Sequence, residues 1–282
     1  MNANSFLTDL LQGIAGGDVS VEEALRQIED APRTTQPGNI DPDPRTAQLT
    51  IDGATVDLGR PARCGFAEVI YGEGKSDELI SNIIQTQLDA GQSSLVTRID
   101  AITAQKVRIT FPYARHNSIG HTLRVDSKEF TDATLSESEC NSTLHAAVVT
   151  AGSTDLSIAE EAVETLHWMG IPVQRFDDIG VAGPQRFLSA IPRIQQASAV
   201  VVIAGMEGAL PSAIGGHLSA PVFAVPTSVG YGATFGGITP LLGMLSSCAS
   251  NVAVVNIDAG FKGAYLAGMV VRQLRDQVRD GQ

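Results

Sequence analysis

Three short segments of this 282-residue sequence combine glycine with residues that can bind anions or move protons. The first, TAGSTD, carries Ser153, Thr154 and Asp155 directly before a helical pattern. Two hydroxyls and the free N–H groups of a helix start form a seat for a phosphate or a carboxylate. The same residue types also act as simple helix caps, so both interpretations stay open.

The second segment, AGMEGALPS, places Glu207 among the small residues that follow an apolar run, with Gly205, Met206 and Gly208 beside it. A carboxylate there can act as a general base only if its pKa is raised and a proton lies within reach. A glutamate that opens a helix more commonly just complements the helix dipole. The residue types alone therefore do not assign a reaction.

The third segment, PTSVGYGATFGG, contributes Ser228, Gly230, Tyr231 and Gly232. Its glycines allow close approach of a ligand to the backbone, but their spacing is not the G-x-G-x-x-G of dinucleotide-binding turns. The stretch GEGKS at 72–76 ends like a nucleoside-triphosphate loop, yet position 69 is valine where that loop requires glycine. Neither stretch identifies a nucleotide site by itself.

The three cysteines, Cys64, Cys140 and Cys248, are far apart and odd in number. They do not form the pattern of a disulfide framework or a zinc site, which favours a reducing cytoplasm. From the residues alone, Cys248 is more typical of a small core residue than of a nucleophile.

The excess of acidic residues makes nucleic acid an unfavourable partner. The net charge is −12, with 31 acidic residues against 19 lysines and arginines, and such a surface repels nucleic acid. Small anionic metabolites remain compatible with a few local donors. The N-terminal stretch lacks the features of a signal peptide, and no apolar run approaches the roughly 20 residues that span a bilayer. We therefore expect a cytoplasmic protein with no membrane partner.

The elements that must position these segments are clearest in the second half of the chain. Short apolar runs without polar alternation alternate there with helical patterns, which predicts an α/β fold with a doubly wound, flavodoxin-like parallel sheet. Ligands bind beyond the carboxyl ends of such strands, where the three segments lie. The runs are 146–151, 172–176, 199–205, 221–226 and 252–258, and the helical patterns are 156–169, 184–196, 207–217, 236–248 and 261–279.

The first half predicts a smaller α+β domain over residues 1–124, followed by a polar linker at 125–143 and the larger domain at 144–282. The expected elements are helices within 5–30 and 77–90, a hairpin at 49–58, and strands at 66–71, 94–99 and 106–111.

Several long motifs together resemble the LarB family of nickel-pincer cofactor biosynthesis, over about residues 65–272. They are GFAEVIYGEGKS, TAGSTDLSIAEEA, DDIGVAGPQR, VVVIAGMEGALPS, PVFAVPTSVGYGATFGG and MLSSCASNVAVVNIDAGFKGAYLA. GEGKS then looks like that family's own N-terminal signature. The C-terminal half is also similar to the aminoimidazole ribonucleotide carboxylase/mutase of purine synthesis, a flavodoxin-like octamer.

The resemblance implies an enzyme that carboxylates the pyridinium ring of nicotinic acid adenine dinucleotide with CO2 or bicarbonate and hydrolyses its phosphoanhydride. It implies Cys248 as nucleophile, Glu207 as its acidic partner, and a homo-octamer. Mg²⁺ is a candidate for the pyrophosphate, with Glu68, Glu73 and Lys75 on the metal or AMP side, and no tightly bound organic cofactor is expected. The implied substrate contacts are Ser153, Thr154, Asp155, Gly205, Met206, Gly208, Ser228, Gly230, Tyr231 and Gly232.

The sequence departs from the mutase at its two histidine positions. FDDIGVAGPQR contains no histidine where the mutase carries one, and Ala209 stands where it has the other. Proton transfer by those imidazoles is therefore impossible, which disfavours the mutase reaction. The remaining alternative is a non-catalytic nucleotide-binding or regulatory module, in which Cys248 only packs. Separately, Glu68, Glu73 and Lys75 are also compatible with a solvated loop and a helix start.

Overall fold

The computed structural model describes residues 16, 19–20, 43–127 and 144–280, and the chain divides into two compact units, 1–40 and 41–282. The predicted helices within 5–30 and most of the predicted linker at 125–143 lie outside the described residues. The architecture below belongs to the unit 41–282.

Residues 43–127 form a small α+β layer. A hairpin pairs β1 (Leu49–Ile51) with β2 (Ala54–Val56) around the predicted turn, where Gly53 has φ +82°. A mixed four-stranded sheet has the order β3-β4-β6-β5, in which only β3 and β4 run parallel. Its strands are β3 (Ile70–Tyr71), β4 (Ser94–Thr97), β5 (Arg115–Asn117) and β6 (Thr122–Val125). The helices are α1 (Arg60–Cys64), α2 (Asp77–Asp89) and α3 (Ala101–Thr110).

The predicted strand at 106–111 is wrong, because those residues lie at the end of α3. Asp100 caps this helix by accepting hydrogen bonds from two backbone N–H groups of its first turn, each at 3.0 Å. Ala104 and Val107 are fully buried one helical turn apart. The cap and the apolar face thus outweigh the β-branched content. Strands β5 and β6 were not predicted, and β6 includes Val125, where the linker was expected to begin.

Five parallel strands form the larger sheet in the order β11-β10-β9-β7-β8, which confirms the predicted α/β fold. The residues of β7, β9 and β10 are all buried, as expected of strands covered on both faces. The strands are β7 (Ala146–Thr150), β8 (Val173–Phe176), β9 (Ala199–Ala204), β10 (Val222–Pro226) and β11 (Val252–Val254).

Helices cover both faces of this sheet. One face packs against α4 and α8, and the other against α5, α6 and α7. None of the helices in the described ranges is long and apolar enough to cross a bilayer. The helices are α4 (Leu156–Trp168), α5 (Pro184–Ile194), α6 (Leu210–Gly215), α7 (Ile238–Leu245) and α8 (Gly260–Asp280).

Two of the predicted helices are shorter than expected. The pattern at 207–217 begins its helix only at Leu210, and the pattern at 236–248 yields a helix only over Ile238–Leu245. Phe235, Gly236 and Gly237 all have positive φ, so the backbone enters α7 from left-handed geometry. Helix α7 ends at Leu245, so the loop that contains Cys248 lies outside the helix.

Helix α4 attaches the N-terminal layer to the larger sheet. Arg98 Nε donates to Glu161 Oε1 at 3.0 Å, and Asn117 Nδ2 donates to Glu160 Oε2 at 2.6 Å. These contacts hold the N-terminal layer beside the start of α4, directly next to the predicted anion seat.

Candidate active site

A pocket of about 190 Å³ opens at the carboxyl edge of the five-stranded sheet. Its walls come from the loops that follow β7, β8, β9 and β10, as expected for a ligand site in this fold. Of the residues predicted to contact substrate or act in catalysis, those that line it are Thr154, Asp155, Gly205, Met206 and Glu207.

The loop after β7 offers two exposed hydroxyls and one buried carboxylate. Ser153 and Thr154 are exposed, whereas Asp155 is only 3% exposed. Asp155 Oδ1 accepts a hydrogen bond from the Thr227 hydroxyl at 2.8 Å, and Oδ2 accepts one from Gly152 N at 3.0 Å. Burial raises the pKa of Asp155, although both hydrogen bonds oppose the rise. Asp155 therefore fixes the loop, while the two hydroxyls face outward.

The loop after β9 carries Glu207 on a tightly constrained backbone. Met206 has φ +54°, and a Cβ added to Gly205 would lie 2.3 Å from the carbonyl oxygen of Val229. Gly208 has φ +70° and packs against Pro240. Non-glycine residues in the left-handed region are strained and cluster at functional sites. Glu207 itself is exposed at the pocket.

The loop after β10 lies at the rim rather than in the wall. Only Val229 of this loop lines the pocket. Ser228 N donates to Asp258 Oδ1 at 2.8 Å, which ties the loop to the segment between β11 and α8. Tyr231 is 80% exposed. The predicted contacts that lie outside the pocket lining are Ser153, Gly208, Ser228, Gly230, Tyr231 and Gly232.

The pocket lining contains no histidine. Gly180 and Val181 from the loop after β8, together with Ala209 at the start of α6, occupy its wall. The departure from the mutase pattern therefore lies in the pocket itself. The carboxyl groups of Asp155 and Glu207 are the acid–base groups of this wall.

Cys248 does not line this pocket. It lies between the end of α7 and β11, whose first residue, Val252, pairs with Val222 at the amino end of β10. The neighbouring Ser247 bonds with Ser212 inside α6, Oγ to Oγ at 2.7 Å. Cys248 thus lies in a loop that precedes a strand, not at the carboxyl end of one, and its expected meeting with Glu207 stays a prediction. Its side chain is exposed, so the expectation that Cys248 is a small core residue is wrong.

The N-terminal signature residues are held by local contacts. Glu68 Oε2 accepts a hydrogen bond from Asp57 N at 2.9 Å, Glu73 accepts one from the Tyr71 hydroxyl, and Lys75 Nζ donates to Tyr71 O at 2.7 Å. Within residues 43–127 and 144–280, no group of three His, Cys, Asp or Glu side chains is arranged to hold a metal. Glu68 and Glu73 belong to no such group in these ranges, and their expected role on the metal or AMP side stays a prediction.

The sequence does not predict one buried cluster of charged groups, which is centred on Glu161. Glu161 is 3% exposed and accepts hydrogen bonds from Arg98 and from Phe261 N at the start of α8. Arg98, with φ +55°, also donates to the carbonyl of Asp258. Burial raises the pKa of Glu161 and Arg98 opposes the rise. The cluster joins β4, α4 and the loop that holds Ser228. No linear motif signals it, because Arg98 lies 63 positions from Glu161 and 160 from Asp258.

Comparison with known proteins matches both parts of the chain. Residues 48–128 match the LarB/PurE-like N-terminal domain, and residues 145–281 match AIR carboxylase. An uncharacterised protein of Methanocaldococcus jannaschii is 33% identical over 270 residues, covering 94% of this chain and 97% of its own length.

Proposed function

The chain belongs to the LarB family, in which a LarB/PurE-like N-terminal domain precedes an AIR carboxylase domain, and from this we propose a specific reaction. It carboxylates the pyridinium ring of nicotinic acid adenine dinucleotide and hydrolyses the phosphoanhydride. The products are pyridinium-3,5-biscarboxylic acid mononucleotide and AMP. The observation that carries the proposal is the carboxyl-edge pocket, which presents Glu207 and the Thr154 hydroxyl but no imidazole.

The carboxylation begins with addition of the Cys248 thiolate to the electron-poor ring, which forms a C–S bond and a neutral dihydropyridine. The enamine carbon of that ring then attacks CO2 and forms the new C–C bond. A base removes the proton from the same carbon, and the C–S electrons leave with sulfur as aromaticity returns. Cysteine suits both addition and departure. Water then cleaves the phosphoanhydride to release AMP.

Residues of the pocket and its rim have separate roles in the proposed binding of substrate. Ser153, Thr154 and the N–H groups at the start of α4 hold the ribose-bound phosphate. Asp155 keeps that loop in shape through Thr227 and Gly152. Glu207 is the base that takes the thiol proton or the ring proton.

Cys248 does not line the pocket that Glu207 lines, so in the proposed reaction a second copy supplies the nucleophile. The loop after β10 and helix α7 carry large exposed apolar side chains next to the pocket rim. An apolar surface of this kind marks a protein–protein interface. In the assembly, the Cys248 loop of one copy supplies the nucleophile to the pocket of another, as part of a homo-octamer. These side chains are Tyr231, Phe235, Ile238, Leu242 and Leu245, each at least 44% exposed.

Incubation with the dinucleotide and ¹³C-bicarbonate, followed by mass spectrometry, tests the reaction. The expected products are a mononucleotide that carries one labelled carboxyl group, and AMP. Cys248→Ala should form neither while remaining folded. Recovery of unchanged dinucleotide from the wild-type protein would refute the proposal. A parallel incubation supplies aminoimidazole ribonucleotide in place of the dinucleotide. A labelled carboxyl group on that ribonucleotide would support the mutase-type alternative, which the pocket without histidine disfavours.

A further inference from the structure

A second cavity lies at the other end of the larger sheet, away from the carboxyl-edge pocket. It has a volume of about 490 Å³ and is bounded by the second half of α8 and the turn before β8. Its floor is apolar, formed by Phe66, Met169 and Ile171. Three arginines and one aspartate of α8 form its wall: Arg272, Arg275, Asp276 and Arg279. We call this cavity the arginine groove.

The arginine groove is locally cationic in a chain whose net charge is −12. Its three arginines lie at positions i, i+3 and i+7 of one helix, so they share a face and span about 10 Å along the axis. Arginines near a helix C-terminus also complement the helix dipole. The helix dipole explains why positively charged side chains occur at this end of α8. It does not explain why the three arginines surround a cavity with an apolar floor.

Arg272 is held in a fixed orientation. Its guanidinium lies 4.8 Å from the centre of the Phe66 ring, and it donates to the carbonyl of Gly65. Its Nε lies 3.6 Å from Asp276 Oδ2. A Cβ on Gly65 would sit 2.1 Å from Arg272 Nη1, so glycine leaves the room that the guanidinium occupies. Arginine has five N–H donors, and these contacts leave several of them for a ligand.

Arg275 is half-buried at the same wall. Its Nη1 donates to the carbonyl oxygen of Gly170 at 3.0 Å, and none of the described carboxylates pairs with it. Burial lowers its pKa, because the cation loses water without gaining a counter-ion. Arg279 continues the row at the exposed end of the helix. Counted with Asp276, the wall carries two net positive charges, which match the charge of a phosphate monoester at neutral pH.

We propose that the arginine groove binds a phosphate monoester with an apolar or planar organic group. The guanidinium groups take the phosphate, since their forked donors match its oxygens. The organic group lies on the floor of Phe66, Met169 and Ile171. The site is distinct from the carboxyl-edge pocket, and the proposal does not depend on the proposed reaction.

Calorimetric titration of the full chain with phenyl phosphate and with inorganic phosphate tests the groove. The apolar floor predicts that phenyl phosphate binds about tenfold or more tightly than inorganic phosphate. Arg279→Gln and Arg275→Gln should each weaken phenyl phosphate binding about tenfold. Arg108→Gln, an exposed arginine on α3, should leave it unchanged.

Three results would overturn the proposal. One is no binding of phenyl phosphate to the wild-type chain, and another is equal binding by the wild type and Arg279→Gln, an exposed position whose change leaves the fold intact. The third is loss of binding in Thr154→Val with full binding in both arginine variants, which would assign the probe to the carboxyl-edge pocket.

Discussion

Two carboxylates of the carboxyl-edge pocket have opposite surroundings. Asp155 is buried and fixed by Thr227 and Gly152, whereas Glu207 is exposed on a strained loop. A buried, hydrogen-bonded carboxyl group shapes its loop, while an exposed one at a pocket can contact a ligand. We therefore propose a structural role for Asp155 and a chemical role for Glu207.

The buried state of Asp155 predicts a pH-dependent effect of Asp155→Asn. A carboxyl group whose folded-state pKa is raised stabilises the fold while protonated, and this contribution is lost as pH rises through that pKa. Asparagine does not ionise. The unfolding free energy of the variant relative to wild type should therefore increase between about pH 3 and pH 8. Urea denaturation across this range measures it, and a difference that is flat or falls with pH contradicts the assignment.

At the level of elements, close contact between two loops positions Glu207. The Gly205 backbone approaches the Val229 carbonyl so closely that Gly205→Ala must push the two loops apart. We expect the variant to lose about 1–3 kcal/mol of stability and most of the proposed carboxylating activity. Gly216→Ala is a matched control, because a Cβ there meets its nearest atom only at 3.7 Å. Equal melting temperatures and activities for both variants would show that the loop contact is unimportant.

The Arg98–Glu161 pair joins the N-terminal layer to α4 and α8. Arg98→Met leaves Glu161 buried without its cation, and we expect a loss of about 1–3 kcal/mol at neutral pH, since Arg98 is itself 36% exposed. Loss of Arg98 raises the pKa of Glu161 further, so the destabilisation should shrink as falling pH protonates the carboxylate. Arg108→Met serves as the control in the same denaturation series. A loss that is independent of pH would contradict this role of the pair.

The sequence predicts those elements whose local pattern agrees with their tertiary surroundings. The buried strands β7, β9 and β10 read directly as apolar runs, and the Asp52-Gly53 turn marks the hairpin. The end of α3 resembles a strand in sequence because β-branched residues dominate its local pattern. The three glycine-containing segments follow strand ends, as the alternation of apolar runs and helical patterns predicts. The contacts of Glu161 could not be predicted, since they join residues far apart in the chain.

At the level of the whole molecule, the apolar surface on α7 predicts self-association. Leu242 is 57% exposed on that helix, and Leu188 on α5 is 52% exposed on another surface. Leu242→Asp should produce a smaller assembly in analytical ultracentrifugation, because a charge at an interface must be desolvated. Leu188→Asp should sediment like the wild type. Identical sedimentation of all three proteins would exclude this surface as the interface.

The shared site can be tested most directly by mixing two inactive variants. The Cys248→Ala protein and the Glu207→Gln protein are mixed in equal amounts, unfolded, and refolded so that mixed assemblies form. The assemblies are then supplied with dinucleotide and ¹³C-bicarbonate. If one copy supplies the nucleophile and another the base, the equal mixture regains about a quarter of wild-type activity, although each variant alone has almost none. A mixture as inactive as its components, with wild-type protein refolded in parallel fully active, would contradict a site built from two copies.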